Sequence, residues 1–229
     1  YYEDTAGLLT FADIQKKQFQ TFHGKIFSAG FSTSTFWLRL SIENRSGNSD
    51  WLWEVANPLL DEIEIRALGN NPAEFHGGLT RPFEERIIDH RNFVFPLKIS
   101  PGQTTIVWMK ARMRPAMILP IQLRREAEFR HSSGIVIFFM GLYYGGFIVI
   151  SIYHIFVFFV TRERGYFFFS VMVLFVMLFF ASQQGFAMQY FWPSLRERAI
   201  PLNMFFNVAA TFFSALFALE VMNLKSQLP

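Results

Sequence analysis

The sequence predicts an antiparallel β sandwich or barrel followed by a helical membrane domain, and three observations carry that prediction. Residues 36–44 (FWLRLSIEN) alternate apolar and polar side chains, the pattern of a strand with one wet face. Comparable short runs recur at roughly ten-residue spacing with Gly, Pro and Asn between them, as sandwiches and barrels require. Residues 134–160 (GIVIFFMGLYYGGFIVISIYHIFVFFV) then carry no formal charge. At about 1.5 Å per helical residue they reach about 40 Å, more than the ~30 Å hydrocarbon core of a bilayer.

Composition supports the division. Apolar residues make up 52% of the chain, with 30 Phe among 229 residues, more than an ordinary soluble domain carries. The excess is uneven, because residues 1–132 hold most of the Asp, Glu and Lys while the last hundred or so are dominated by Phe, Val, Ile, Leu, Met and Ala. One soluble and one membrane-embedded domain are therefore expected. The chain has no cysteine, which excludes a disulfide framework and a thiolate metal site. Its net charge is +3, but the basic residues are scattered or sit beside the apolar stretches, so a nucleic-acid partner is not expected.

In chain order, residues 10–17 (TFADIQKK) predict a short helix, a peripheral decoration with Thr10 as cap and Asp13 in the reciprocal capping position. Along 36–44, Phe36, Leu38, Leu40 and Ile42 are expected inside, and Trp37, Arg39, Ser41 and Glu43 outside. Residues 44–50 (NRSGNSD) read as a turn, and 51–55 as a strand ending at Asn57-Pro58. Further strands are expected at 62–68, 93–99, 104–111 and 119–123, with Ser100-Pro101-Gly102-Gln103 as a turn between two of them. About 120 residues suffice for one such core.

No catalytic residue, metal site or cofactor is expected. Glu62 and Glu64 share one strand face and Asp61 takes the other, which describes a solvated face better than an acid/base pair. His23, His76, His90 and His131 lack metal-ligand spacing and are expected at the surface. No nucleophile elbow or phosphate-binding glycine loop occurs. What remains is aromatic and guanidinium surface: Trp37 on a polar face, Trp51 and Trp53 on a common face, and Arg81, Arg91 and Arg112 near strand ends. Such groups hold a sugar by stacking and by charged hydrogen bonds. Trp37, Arg39 and Arg91 are the ligand-contact candidates, the alternative being that the tryptophans fill the sandwich core.

The first span carries Gly141 and Gly145, a small-residue pair that admits a close helix neighbour. Tyr143, Tyr144, Ser151 and His154 share about a third of its circumference at ~100° per residue. His154, an ionisable group inside a span, is the membrane functional candidate; the alternative is a neutral imidazole hydrogen-bonded to a neighbouring helix. A second span at 166–183 follows the short link 161–165, so the two form an antiparallel hairpin, and Tyr190, Phe191 and Trp192 suit an interfacial belt. The third, 201–219, aligns Asn203, Asn207, Thr211 and Ser214 in a stripe expected to turn toward other helices.

The order Tyr1-Tyr2-Glu3-Asp4, Phe36-Trp37-Leu38-Arg39-Leu40, Asn57-Pro58-Leu59-Leu60-Asp61-Glu62-Ile63, Phe95-Pro96-Leu97 and Gly141-Leu142-Tyr143-Tyr144-Gly145 resembles the seven-transmembrane receptors with diverse intracellular signalling modules. The run Gly185-Phe186-Ala187-Met188-Gln189-Tyr190-Phe191-Trp192-Pro193 is similar to the end of their second span and the loop after it. The resemblance implies an all-β jelly-roll sandwich over 1–125, similar to carbohydrate-binding modules, a connector at 126–132, and an α-helical transmembrane domain at 133–229 holding three spans of an expected seven. It implies a bacterial, multi-pass receptor of the inner membrane, acting in signal transduction. Its extracytoplasmic domain would sense a ligand and drive a kinase or cyclase output module beyond these residues. The partners so implied are a small-molecule or carbohydrate ligand and the lipid bilayer, with a homo-oligomer left open. A transporter or channel subunit, with His154 and the Asn203 stripe along its pathway, is the alternative; a membrane-anchored carbohydrate-active enzyme would need paired carboxylates.

Two topology arguments disagree. Arg124, Arg125, Arg130, Arg196 and Arg198 lie on the sandwich side of the spans and Arg162, Arg164 and Lys225 on the other, and five against three points to a cytoplasmic sandwich. An already exported domain escapes that rule, and the resemblance places the domain outside, so an extracytoplasmic sandwich is expected. Residues 124–132 (RREAEFRHS), without glycine, are expected to pass a tilt or shift to the first span.

Overall fold

The computed structural model describes residues 1–24 and 26–222, the side chains of residues 196 and 197 excepted; Lys225 lies outside the described residues. The chain divides into Tyr1–Arg130 with Met188–Glu197, and His131–Ala187 with Arg198–Pro229.

In the first unit, β1 (Tyr2–Asp4), α1 (Phe11–Ile14), β2 (Phe27–Phe31), β3 (Thr35–Glu43), β4 (Asp50–Val55), β5 (Glu62–Leu68), β6 (Ala73–Gly77), β7 (Phe93–Lys98), β8 (Thr104–Arg112), β9 (Ala116–Leu119) and β10 (Ile121–Arg124) follow one another. They form a five-stranded sheet in the order β1-β3-β8-β5-β6, a three-stranded sheet β10-β4-β7 and a two-stranded β2-β9. Every pairing is antiparallel.

The core lies between the larger sheets. Phe36, Leu38, Ile63, Ile65, Met109 and Ala111 share the inner face of one by register, facing Trp53, Val55, Phe93 and Phe95 of the other. Phe75 of β6 stacks on Phe95 of β7 with ring centroids 5.6 Å apart. The inner-face expectation holds for Phe36 and Leu38, but Leu40 and Ile42 are only half-buried, because the end of β3 runs out to an open edge of the sandwich. Arg39 and Glu43 are exposed as expected.

Trp37 is a correction. Expected on a wet face, it is 3% exposed, in a cluster with Ile14 and Trp108 that Phe11 and Phe19 complete. The short helix supplies the cover. Thr10 Oγ1 accepts the Asp13 N–H at 3.3 Å while the Asp13 carboxylate accepts the Thr10 N–H at 3.1 Å, the reciprocal cap the spacing predicts. Far from a decoration, α1 buries Ile14 completely on the outer face of the five-stranded sheet.

The single strand expected at 119–123 is two. Pro120 has no N–H for a ladder; β9 before it pairs with β2 and β10 after it pairs with β4. β4 also departs from a half-wet strand, since Leu52, Trp53, Glu54 and Val55 are all buried. Both of its faces are covered.

Residues 126–132, read as a connector, are helical. They form the first turns of α2 (Glu126–Thr161), a helix of 36 residues. After it come α3 (Arg164–Gln183), α4 (Phe186–Tyr190), a 3₁₀ turn at Pro193–Arg198 and α5 (Ala199–Val221). α2, α3 and α5 are long and apolar enough to cross a membrane. Arg162 takes a left-handed conformation, φ 62°, at the turn between α2 and α3.

Within the second unit α3 packs closely on α5. Phe175 stacks on Phe213 at 5.7 Å, Phe169 meets Phe217 at 5.3 Å, and Asn203 Nδ2 donates to the Phe179 carbonyl at 3.1 Å. Only Asn203 of the expected polar stripe is buried; Asn207, Thr211 and Ser214 are exposed, and the Thr211 hydroxyl turns back to the Asn207 carbonyl at 3.0 Å. α2 meets α3 through side chains, with the buried Ser170 hydroxyl donating to the Ser151 carbonyl at 2.9 Å. At Gly141 and Gly145 an added Cβ would meet nothing within 4 Å among the described residues, so neither α3 nor α5 is the close neighbour those glycines admit.

Candidate functional site

At the open edge of the sandwich, where β3 ends and β4 begins, lies a cleft of about 320 Å³. Its floor is apolar: the half-buried Trp51 with Ile42, Ile99 and Leu123. The exposed Glu43, Arg45 and Ser46 line the cleft as well, beside the buried Asn44. The Asn44 side chain makes four of the bonds that pin the turn. Asn44, itself buried, donates through Nδ2 to the carbonyls of Asn48 (2.7 Å) and Ile99 (2.6 Å), and its Oδ1 accepts the Ser46 N–H (3.0 Å) and hydroxyl (2.7 Å). An Asn that replaces backbone partners in this way fixes a turn without sheet hydrogen bonds. Arg45 and Glu43 pair at 2.7 Å with side chains 82% and 51% exposed. A pair so open to water holds together weakly, so both charges are available to an incoming polar group. An aromatic floor beside donors and acceptors suits a small polar ligand with one apolar face.

A second hollow of about 220 Å³ is lined by Asp61, Glu62, Thr80, Arg112 and Arg114. Asp61 is committed to structure there: 6% exposed, it accepts from the Arg114 backbone N–H at 2.7 Å and from the Arg114 guanidinium at 2.6 and 2.9 Å. Gly78 closes over it at φ 130°, where a Cβ would stand 2.2 Å from the Asp61 carbonyl oxygen. Glu64 lies 3.6 Å and Glu62 3.9 Å from Lys110 Nζ. Asp61 thus belongs to Arg114, whereas Glu62 and Glu64 share Lys110.

The structure keeps Trp37 and Arg39 together and sets Arg91 apart from them. Trp37 and Arg39 share the outer face of β3, where Lys110 lies over the Trp37 ring at 5.8 Å and Arg39 over Trp108 at 5.5 Å. Arg91 precedes β7 of the other sheet, and its carbonyl accepts from Arg86 Nη1 at 2.9 Å. A half-buried tryptophan beside an exposed guanidinium and carboxylate occurs at Trp51, Arg45 and Glu43.

Sequence reasoning missed a second constellation, on the outer face of the three-stranded sheet. His90, expected at the surface, is buried, because residues 86–92 fold over β4 and β7. Its Nδ1 accepts the Asn92 N–H at 3.1 Å, and Asn92 Nδ2 donates to Glu54 at 2.7 Å. Glu54, 4% exposed, also lies 3.5 Å from Arg124 at the end of β10. Arg86 ties the loop from within, donating to the His90 and Arg91 carbonyls at 2.8 and 2.9 Å. It is sandwiched by Phe83 and Phe93 at 4.3 Å each, and burial pushes its guanidinium down to about 10 against the pull of Asp89. Into this face Phe129 of α2 inserts between Leu52 and Val94, with Ile88 beside it. A signal was present in RREAEFRHS: one aromatic among charges on a helix start.

In the spans, His154 Nδ1 lies 2.8 Å from the Ile150 carbonyl of its own helix. The imidazole packs on Phe169 of α3 with centroids 4.4 Å apart. Its hydrogen bond is therefore local, where a bond to a neighbouring helix was the alternative expected. Among the described residues no cluster of His, Asp and Glu could hold a metal ion.

A β sandwich with a cleft lined by aromatic and polar groups, followed directly by membrane-length helices, defines a class: a membrane protein carrying a sensor domain. Residues 1–125 match the family described as 7TMR-DISM extracellular 2, and residues 137–229 match 7TM diverse intracellular signalling. The chain belongs to this family of signalling receptors, and its N-terminal region is extracellular. No curated protein matches it.

Proposed function

We propose that this chain is the sensing and membrane part of a bacterial inner-membrane receptor, and that its sandwich binds a carbohydrate in the Trp51 cleft. The observation that carries the reading is that Trp51 lines one cleft together with the exposed Arg45, Glu43 and Ser46, an apolar ring beside charged and hydroxyl groups. A pyranose presents the complementary surface, with C–H groups on one face and hydroxyls around its edge. Leu123 links the cleft to the membrane part by sequence, three residues before α2 begins. The strand order supports a jelly-roll reading of the sandwich. Neither matched domain is catalytic, so the output belongs to a separate module.

The full chain in nanodiscs, probed on a glycan array, tests the proposal. We expect binding to a subset of glycans that Trp51→Ala abolishes and Arg39→Ala preserves, with the melting temperature unchanged in Arg39→Ala and lowered without loss of folding in Trp51→Ala, whose side chain is half-buried. Loss at Arg39 alone would move the site to the outer face of β3. A folded protein that binds no glycan would remove carbohydrate as the ligand class.

A further inference from the structure

We infer that residues 86–92 are a clamp that makes the start of α2 and residues 188–192 move together, with Phe129 as the positioning residue. The inference takes its purpose, signal transmission, from the receptor reading, but its geometry stands without a ligand.

Three observations carry it. The first is the seat of Phe129, which is 6% exposed against Leu52, Val94 and Ile88 and meets the His90 imidazole edge-on, centroids 4.9 Å apart at 65°. One aromatic side chain thereby holds the first turns of a 36-residue helix. The second is that the same loop reaches another segment: Gln189 Nε2 donates to Asp89 Oδ1 at 3.0 Å. Gln189 belongs to α4, after α3, and falls in the same unit as Asp89. Adjacent loop residues, Asp89 and His90, thus hold two chain segments that lead into different spans. The third is the loop's own stiffness. Arg86 bonds two of its carbonyls, and Asn92 anchors its end to the buried Glu54. A loop so tied shifts as a body rather than absorbing a displacement.

β4 connects this clamp to the cleft. Trp51 lines the cleft, Leu52 seats Phe129 and Glu54 anchors Asn92. Successive strand residues point to opposite faces, so a shift of Trp51 displaces Leu52 on the other side of the sheet. The pairing of Arg124 with Glu54 adds the strand that runs into α2.

Hydrogen exchange of the full chain in nanodiscs, without ligand, tests the clamp. Phe129→Ala should speed amide exchange by about tenfold at 86–92 and also at 188–192, and Gln189→Ala should speed it at 188–192 and at 127–130. The double variant should fall short of the product of the single effects. If each substitution loosens only its own segment, or the effects multiply, the clamp is overturned. Should Phe129→Ala also unprotect β3 and β8, Phe129→Leu replaces it, since it keeps apolar volume and removes the ring contact with His90. The glycan array decides the ligand separately, so failure there leaves this result intact, and failure here leaves the ligand site intact.

Discussion

Arg114 closes on Asp61 from two directions, its guanidinium on one carboxylate oxygen at 2.6 and 2.9 Å and its backbone N–H on the other at 2.7 Å. Asp61 is buried while the Arg114 side chain is half exposed, so solvent screens part of the attraction. Asp61→Ala should therefore cost about 1–3 kcal/mol of stability, chiefly by stranding the Arg114 N–H. Denaturant unfolding followed by exchange at β5 and β8 measures it. A loss no larger than that of Glu62→Ala would show that the carboxylate is not structural.

Trp37 should behave as a core residue. Trp37→Ala is expected to cost about 3–5 kcal/mol, and Leu40→Ala, at a half-buried position, about 1–2 kcal/mol. Arg39→Ala should lie near zero. Equal losses at Trp37 and Arg39 in a denaturant series would contradict the cover provided by α1.

His90 should make the junction with α2 sensitive to acid. Burial holds its imidazole below the ordinary 6.5, with Glu54 drawing it upward and Arg91 and Arg86 pressing it down. The unfolded chain then takes up the proton first, so stability is full above about pH 6.5 and falls as pH drops toward the lower folded value. Protection factors at 86–92 and 127–130, which correct for the slower intrinsic exchange in acid, should fall from pH 7.5 to pH 5, and His90→Gln should flatten that difference. A pH profile unchanged by the substitution would assign the effect to another group.

The topology can be read chemically, because the chain has no cysteine of its own. Ser49→Cys in the β3–β4 turn should react with a membrane-impermeant maleimide in spheroplasts, and Thr161→Cys at the end of α2 should not. Labelling at Thr161 alone would place the sandwich in the cytoplasm.

Ser170 and Asn203 make polar contacts between helices of the second unit. Ser170→Ala removes the bond to the Ser151 carbonyl and Asn203→Ala the bond to the Phe179 carbonyl, each at a cost of roughly 1 kcal/mol. Thermal unfolding in detergent should show both, whereas Asn207→Ala, at an exposed site, should show no change.

Much of the secondary structure was legible because local chemistry decides it. Alternation marked β3 and β5, Thr10 and Asp13 marked a capped helix, and the uncharged run of 134–160 marked a span. Four strands escaped: β1 has only three residues, β2 and β6 are five-residue runs containing glycine, and β9 precedes Pro120, sharing only Leu119 with the expected strand. Their pairing comes from neighbours, not from their own pattern.

Burial of the candidate groups was not legible for the same reason. Period-two alternation says which residues share a face but not whether anything covers that face. The outer face of β3 is dry at Trp37 because α1 lies over it, and that of β4 is dry at Leu52 and Glu54 because Phe129 and residues 86–92 do.

The sequence by itself determined the two solvents this protein lives in, since the length of an apolar run and the two-residue period of a strand are properties of neighbouring residues. Tertiary structure alone decided that Trp51 and not Trp37 lines a cleft, and that His90 meets Phe129 across 39 positions of chain. Those contacts depend on which surfaces are brought face to face, a choice made by packing the whole chain at once.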